Sequence, residues 1–215
     1  MPTRKQDLLL AIAAVRIVVH RVWQRLIGHW FAPAPIEWRF HKALCLGLDG
    51  AGKSALLRRA QDETADVSGL APTTGFNVRS LVVPPNCKLE AWDIGGGSAL
   101  RPYWWRYVRF DVDALIWVAD VADSARWSDS GVELAELLER AAPLRTLPLL
   151  VLLNQTDRAE NAQTAATAAA EALRLSALSH SGPRHVQGVS ALDGDGLGEA
   201  LRWLSDALAP SGDRT

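Results

Sequence analysis

Eight consecutive residues carry the sharpest chemical signal in the chain. Gly47-Leu48-Asp49-Gly50-Ala51-Gly52-Lys53-Ser54 fits the pattern G-x-x-x-x-G-K-[ST]. The stretch follows a short apolar run, Ala43–Leu48, and opens a helix-forming one, Ala55–Ala60. Small residues let backbone N–H groups close around phosphate oxygens, and a helix N-terminus adds a positive field there. Lys53 supplies a point charge for β- and γ-phosphates, and Ser54 a hydroxyl for Mg²⁺. The expected nucleotide contacts are Gly47, Asp49, Gly50, Ala51, Gly52, Lys53, Ser54 and Ala55.

Three further segments narrow the ligand. Asn154-Gln155-Thr156-Asp157 follows the apolar run Leu149–Leu153. A carboxylate at Asp157 accepts from both the ring N–H and the exocyclic amine of guanine, a pair that adenine does not present. Asn154 can bond the other edge of the base and brace the phosphate loop, with Gln155 beside it. Ser190-Ala191 follows the last strand-like run, where a backbone N–H can meet the guanine carbonyl oxygen. Trp92-Asp93-Ile94-Gly95-Gly96 ends a strand with a carboxylate and two glycines. Asp93 can hold Mg²⁺ through water, and the Gly96 N–H can sense a γ-phosphate.

These residues need a frame that gathers them at one edge. Strand-like runs at Ala43–Leu48, Phe76–Val83, Cys87–Asp93, Leu115–Ala119, Leu149–Leu153 and Val186–Val189 alternate with helical patterns. The helices are expected at Ala55–Ala60, Val132–Ala141, Ala159–Leu178 and Leu197–Leu208, and Pro84-Pro85-Asn86 marks a hairpin. This order implies an α/β fold: six strands, mostly parallel, with helices on both faces.

Composition agrees with one globular domain of 215 residues, 48% apolar and 22% charged. Two cysteines, Cys45 and Cys87, are too few for a disulfide framework and read as buried thiols in a reducing compartment. The net charge of −1 is unevenly placed: residues 1–36 carry Arg4, Lys5, Arg16, Arg21 and Arg25 against Asp7. In that arm Leu8, Ile12, Val15, Val19, Val22, Trp23, Leu26 and Trp30 share one helical face, opposite Arg16, His20, Arg21, Gln24 and Arg25. A basic face opposite an apolar, Trp-bearing face suits a helix over residues 8–31 lying on a membrane surface. Mitochondrial targeting and a single-pass anchor remain alternatives. Pro33 and Pro35 form a linker, which gives an arm (1–36), a body (37–210) and a tail (211–215). No basic-aromatic groove points to nucleic acid, and nothing points to an oligomer, so a monomer is expected.

The body resembles the Arf/Arl (ADP-ribosylation-factor-like) small GTPases over about residues 38–209. The resemblance rests on Gly47–Ser54, Pro72-Thr73-Thr74-Gly75-Phe76-Asn77-Val78, Trp92–Gly96, Arg101-Pro102 with Trp104 and Tyr107, and Gly194-Asp195-Gly196-Leu197. It implies a P-loop G domain that takes GTP or GDP with Mg²⁺. It also implies that Thr73 ligates the metal and reports the γ-phosphate. Phe76, Trp92 and Tyr107 are then the apolar patch for effectors and exchange factors. The family's mobile amphipathic N-terminal helix matches the arm, which implies a cytoplasmic protein peripheral on a membrane.

Two departures stand out. Gly97 occupies the position of the family's water-orienting Gln, and Gln155 that of a Lys whose stem lies along the base. Intrinsic hydrolysis is therefore expected to be slow, and rescue by an activating protein is one reading. A GTP-bound module with little hydrolysis is the other. A P-loop ATPase or kinase of another kind is disfavoured by Asp157.

Overall fold

Two strands of the body are apolar up to their last residue, as expected of strands buried on both faces. In the computed structural model, which describes residues 36–209, these are the fourth and fifth strands of a six-stranded sheet. The strands are β1 (Arg39–Leu46), β2 (Phe76–Val83), β3 (Cys87–Ile94), β4 (Ala114–Asp120), β5 (Leu149–Asn154) and β6 (Arg184–Gly188). Their order across the sheet is β2-β3-β1-β4-β5-β6. Only β2 runs antiparallel to its neighbour, with Val83 opposite Cys87 at the hairpin. The helices are α1 (Lys53–Gln61), α2 (Trp127–Arg140), α3 (Ala162–Ala172) and α4 (Leu197–Ala207).

Alternate residues of the four central strands feed two cores. On one face Ala43, Cys45, Leu81, Leu89, Ile116 and Leu152 pack with Leu56 and Leu57 of α1 and Leu201 and Leu204 of α4. On the other, Leu44, Leu46, Leu115, Trp117 and Val151 pack with Leu134 and Leu138 of α2 and Ala169 and Leu173 near α3. Cys45 and Cys87 are buried free thiols. The expected α/β class and helices on both faces are what the structure shows.

The differences from expectation are local. β1 begins at Arg39, four residues early, and its first half is only partly covered. α3 ends at Ala172 because Arg174 takes a left-handed conformation, φ 51°, and a single 3₁₀ turn follows. A ten-residue 3₁₀ helix, Arg101–Phe110, was not anticipated. Pro102 at its start suits a first turn, where no N–H is required. The expected amphipathic helix over residues 8–31, its Pro linker and the tail from residue 211 lie outside the described residues.

Open parallel sheets bind ligands beyond the carboxyl ends of their strands. Here those ends deliver Gly47 after β1, Gly95 after β3, Asp120 on β4, Asn154 on β5 and Val189-Ser190 after β6.

Candidate nucleotide-binding site

The phosphate loop turns directly from β1 into α1. Gly52 caps α1 with φ 87°, and no side chain bonds the helix N-terminus. A side chain at Gly52 would place Cβ 2.1 Å from Asn154 Nδ2, so the loop closes only with glycine there. Lys53 is buried and donates to the carbonyls of Gly47 and Leu48, both at 2.8 Å. Burial lowers its pKa, because the ammonium is held away from water. An anion in the loop would favour the charged form that burial disfavours.

Beside Lys53 three oxygen-bearing side chains converge. Ser54 Oγ donates to Asp93 Oδ2 at 2.5 Å and lies 2.9 Å from Thr73 Oγ1. Asp93 is fully buried, and its Oδ1 has no hydrogen-bond partner. A buried carboxylate oxygen without a donor calls for a cation or its water. Thr73 arrives from the long connection between α1 and β2, which the Gly95 N–H to Gly75 carbonyl bond (2.8 Å) ties to the end of β3. Cys45, next along the sheet, has its thiol pKa pushed far up by burial, with the Asp93 charge adding to it. It stays a neutral core group.

Gly96 lies against the phosphate loop. A Cβ there would fall 2.4 Å from Asp49 N, Gly47 O and Leu48 C, so this approach also requires glycine. Gly97 is different: a Cβ at this position meets nothing within 4 Å. Asp49, third in the loop, was expected only as a phosphate contact. Its carboxylate receives Arg101 at 2.9 Å and Arg126 at 3.5 Å. Desolvation pushes its pKa upward, but the backbone hydrogen bond and both guanidinium groups hold it below the ordinary range. Of the two arginines, Arg101 is quoted in the motif and Arg126 carries no sequence signal.

At the base end, Asn154 Nδ2 donates to the Ala51 carbonyl at 2.8 Å, and its Oδ1 accepts from Ala191 N at 3.1 Å. The expected bracing of the phosphate loop is present. The Ala191 N–H, expected to meet the guanine carbonyl, is directed to Asn154 in this structure, and Ser190 N bonds the Asp195 carbonyl at 3.1 Å. Gln155, with φ 67°, donates from Nε2 to Asp120 Oδ2 at 2.7 Å and to the Gly50 carbonyl at 3.2 Å, and accepts from Arg158. It thus spans from the phosphate loop to β4. Asp120 has its pKa raised by desolvation, opposed by the Ala122 N–H. Asp157 is exposed at the rim of a cavity of about 290 Å³ that Ala55, Val67, Asn154, Gln155 and Ala191 also line.

A separate aromatic surface lies on the β2–β3 side. Phe76, 52% exposed, stacks on Trp92 with centroids 5.6 Å apart, and Tyr107 meets its edge at 6.0 Å. The three expected patch residues are brought together. Phe110, which the sequence reading missed, extends the group by stacking on Trp92 at 5.1 Å. Its signal was the spacing Trp104, Tyr107, Phe110, since residues three apart eclipse in a 3₁₀ helix. Among the described residues no group of His, Cys, Asp and Glu forms a separate metal cluster.

A strand-to-helix phosphate loop at the edge of this sheet, with a metal-ready carboxylate and a braced N-x-x-D loop, defines the small GTPase class of nucleotide-binding switch proteins. The family model of the ADP-ribosylation factor family matches residues 34–208, and the chain belongs to that family. It is 35% identical over 170 residues to ADP-ribosylation factor-like protein 3 of Caenorhabditis elegans, covering 79% of this chain and 89% of the relative. It is 42% identical over 164 residues to the Chlamydomonas reinhardtii protein of the same name, covering 76% and 88%. Among solved structures it resembles the Arl6 BBS3 small GTPase from Trypanosoma brucei with bound nucleotide analogue GppNp, at TM-score 0.67 and 25% identity. That likeness covers 79% of this chain and 98% of the other.

Proposed function

We propose that this protein is an Arf-like switch that binds GTP and GDP with Mg²⁺ and recruits partner proteins at a membrane. The convergence of Ser54, Thr73 and Asp93 around a buried, unpartnered carboxylate oxygen carries the reading. All three are hard oxygen donors of the kind Mg²⁺ takes. Mg²⁺ bound there would neutralise charge on the β- and γ-phosphates. Ser54 and Thr73 are the direct ligands, and Asp93 acts through water. The N–H groups of the Gly52–Ala55 turn, which no side chain caps, receive phosphate oxygens. Lys53 exchanges its two loop carbonyls for the phosphates.

Guanine is read by Asp157, with Asn154 and Ala191 forming the wall beside it and Gln155 in the place of the family's Lys. On this reading Asp157→Asn weakens GTP binding and favours xanthine nucleotide, because an amide N–H can meet the carbonyl that replaces guanine's amine. Competition binding of GTP against XTP measures it. An unchanged preference, together with no guanine nucleotide in acid extracts of the purified protein, would remove the guanine assignment.

Effectors and an exchange factor dock on Phe76, Trp92 and Tyr107, with Phe110 beside them, an exposed aromatic group of the hot-spot kind. Hydrolysis is slow because Gly97 offers no side chain to orient water, and an activating protein is then required. A module that holds GTP with no hydrolysis is the second reading, favoured by the open space around Gly97.

Membrane contact is assigned to residues 8–31. Among the described residues no helix is long and apolar enough to cross a membrane. The interfacial-helix reading predicts that Val19→Glu with Leu26→Glu removes most sedimentation with anionic liposomes. Equal sedimentation of the parent and a chain lacking residues 1–36 would place the membrane contact elsewhere.

A further inference from the structure

The 3₁₀ helix Arg101–Phe110 has three residues per turn, so Arg101, Trp104, Tyr107 and Phe110 form one ridge along it. The outer half of that ridge, Tyr107 and Phe110, belongs to the aromatic patch. The inner half holds the glycine turn. Trp104 is fully buried, and its indole N–H donates to the Gly95 carbonyl at 3.1 Å. Arg101 Nε donates to the Gly96 carbonyl at 2.8 Å, while its other nitrogens reach Asp49 at 2.9 Å and Glu133 at 3.3 Å.

These two carbonyls belong to the two peptide planes that flank the Gly96 Cα. The Gly95 carbonyl shares its plane with the Gly96 N–H, and in a trans peptide the two point in opposite directions. Trp104 therefore fixes the direction of the Gly96 N–H without touching it. Arg101 fixes the following plane and ties it to the phosphate loop through Asp49. Glycines at 95, 96 and 97 supply little rigidity of their own, so the orientation must come from outside the turn.

We propose that Trp104 and Arg101 are positioning residues that aim the Gly96 N–H at the γ-phosphate, and so set the preference of the site for GTP over GDP. The proposal rests on the guanine-nucleotide reading above. It also places γ-phosphate sensing and partner docking on one helix ridge.

Trp104→Phe keeps an aromatic ring beside Trp117, whose centroid lies 5.6 Å away, and removes only the indole N–H donor and one ring. Trp105→Phe makes the same chemical change on the neighbouring residue, whereas the bonds to the two carbonyls come from Trp104 and Arg101. Dissociation of fluorescent GTP and GDP analogues is measured for the parent, both Phe variants and Arg101→Gln, with Mg²⁺ present. In Trp104→Phe and Arg101→Gln the GTP analogue leaves about tenfold faster, the scale of one hydrogen bond to a charged acceptor, while the GDP analogue changes less than about twofold. A general loosening of the helix would raise both rates alike and would also appear in Trp105→Phe; that result overturns the proposal. If the parent binds no guanine nucleotide, the nucleotide reading falls, and hydrogen exchange in the nucleotide-free protein decides the orientation claim. Faster exchange over residues 95–97 in Trp104→Phe than in Trp105→Phe supports it, and equal exchange overturns it.

Discussion

Lys53→Ala is expected to reduce affinity for GTP and GDP on the order of 10²–10³-fold, the scale of removing one partner from a buried charge contact. The side chain is 6% exposed and makes two hydrogen bonds to the loop carbonyls at 2.8 Å. Alanine removes the charge and leaves the Gly47 and Leu48 carbonyls without those donors. Both effects act on the loop rather than on the sheet, so the fold should persist, and far-UV circular dichroism checks it. The loss should be similar for both nucleotides where the β-phosphate is the main contact, and larger for GTP where the γ-phosphate is. Isothermal titration with each nucleotide separates the two. A variant that keeps affinity within a few-fold of the parent would show that phosphates do not occupy this loop.

The chemistry of the site was legible in sequence wherever it depends on local residue order. The phosphate loop and the N-x-x-D loop each follow an apolar run that became a strand, and Asp93 ends a strand-like run that alternates buried and half-buried residues. Of the two roles the sequence suggested for Asn154, bracing the phosphate loop and bonding the base, the first is seen as its bond to the Ala51 carbonyl. What escaped was long-range. Asp49 meets Arg101 across 52 positions and Arg126 across 77, separations that no local pattern reports. The 3₁₀ helix escaped for a different reason. Its segment, Arg101-Pro102-Tyr103-Trp104-Trp105-Arg106-Tyr107-Val108-Arg109-Phe110, repeats at three, and that period does not match the 3.6-residue signature of an α-helix. Of its two adjacent tryptophans, Trp104 is the buried one, at 1% exposure. The long Ala-rich helix was overextended because its composition favours helix throughout; Arg174 in the left-handed region stops it.

Gly97→Gln is the second substitution with a large expected effect, and its sign is a gain. Phosphoryl transfer of this type depends on positioning and electrostatics rather than covalent chemistry by the protein. Lys53, Ser54, Thr73 and Asp93 supply the ground-state grip, so affinity for GTP should change little. An amide at position 97 adds a group able to align water with the γ-phosphorus. Loss of one positioned catalytic dipole commonly costs on the order of 10²–10³ in rate, and restoring one should recover a measurable part of it. The structure sets no steric barrier, because a side chain at this position starts into open space. It also sets a condition: the new amide must be held, and the planes leading to it are fixed by Trp104 and Arg101 at the Gly95 and Gly96 carbonyls and by the Leu100 N–H at the Gly97 carbonyl, 2.8 Å away. Single-turnover hydrolysis in the parent, in Gly97→Gln and in Gly97→Gln with Trp104→Phe tests both statements together. A rise in the first variant that falls back in the second is the expected pattern. If the parent already hydrolyses GTP as fast as Gly97→Gln, another group positions the water, with exposed Ser98 the nearest hydroxyl in sequence, and the site is not disabled by its glycine.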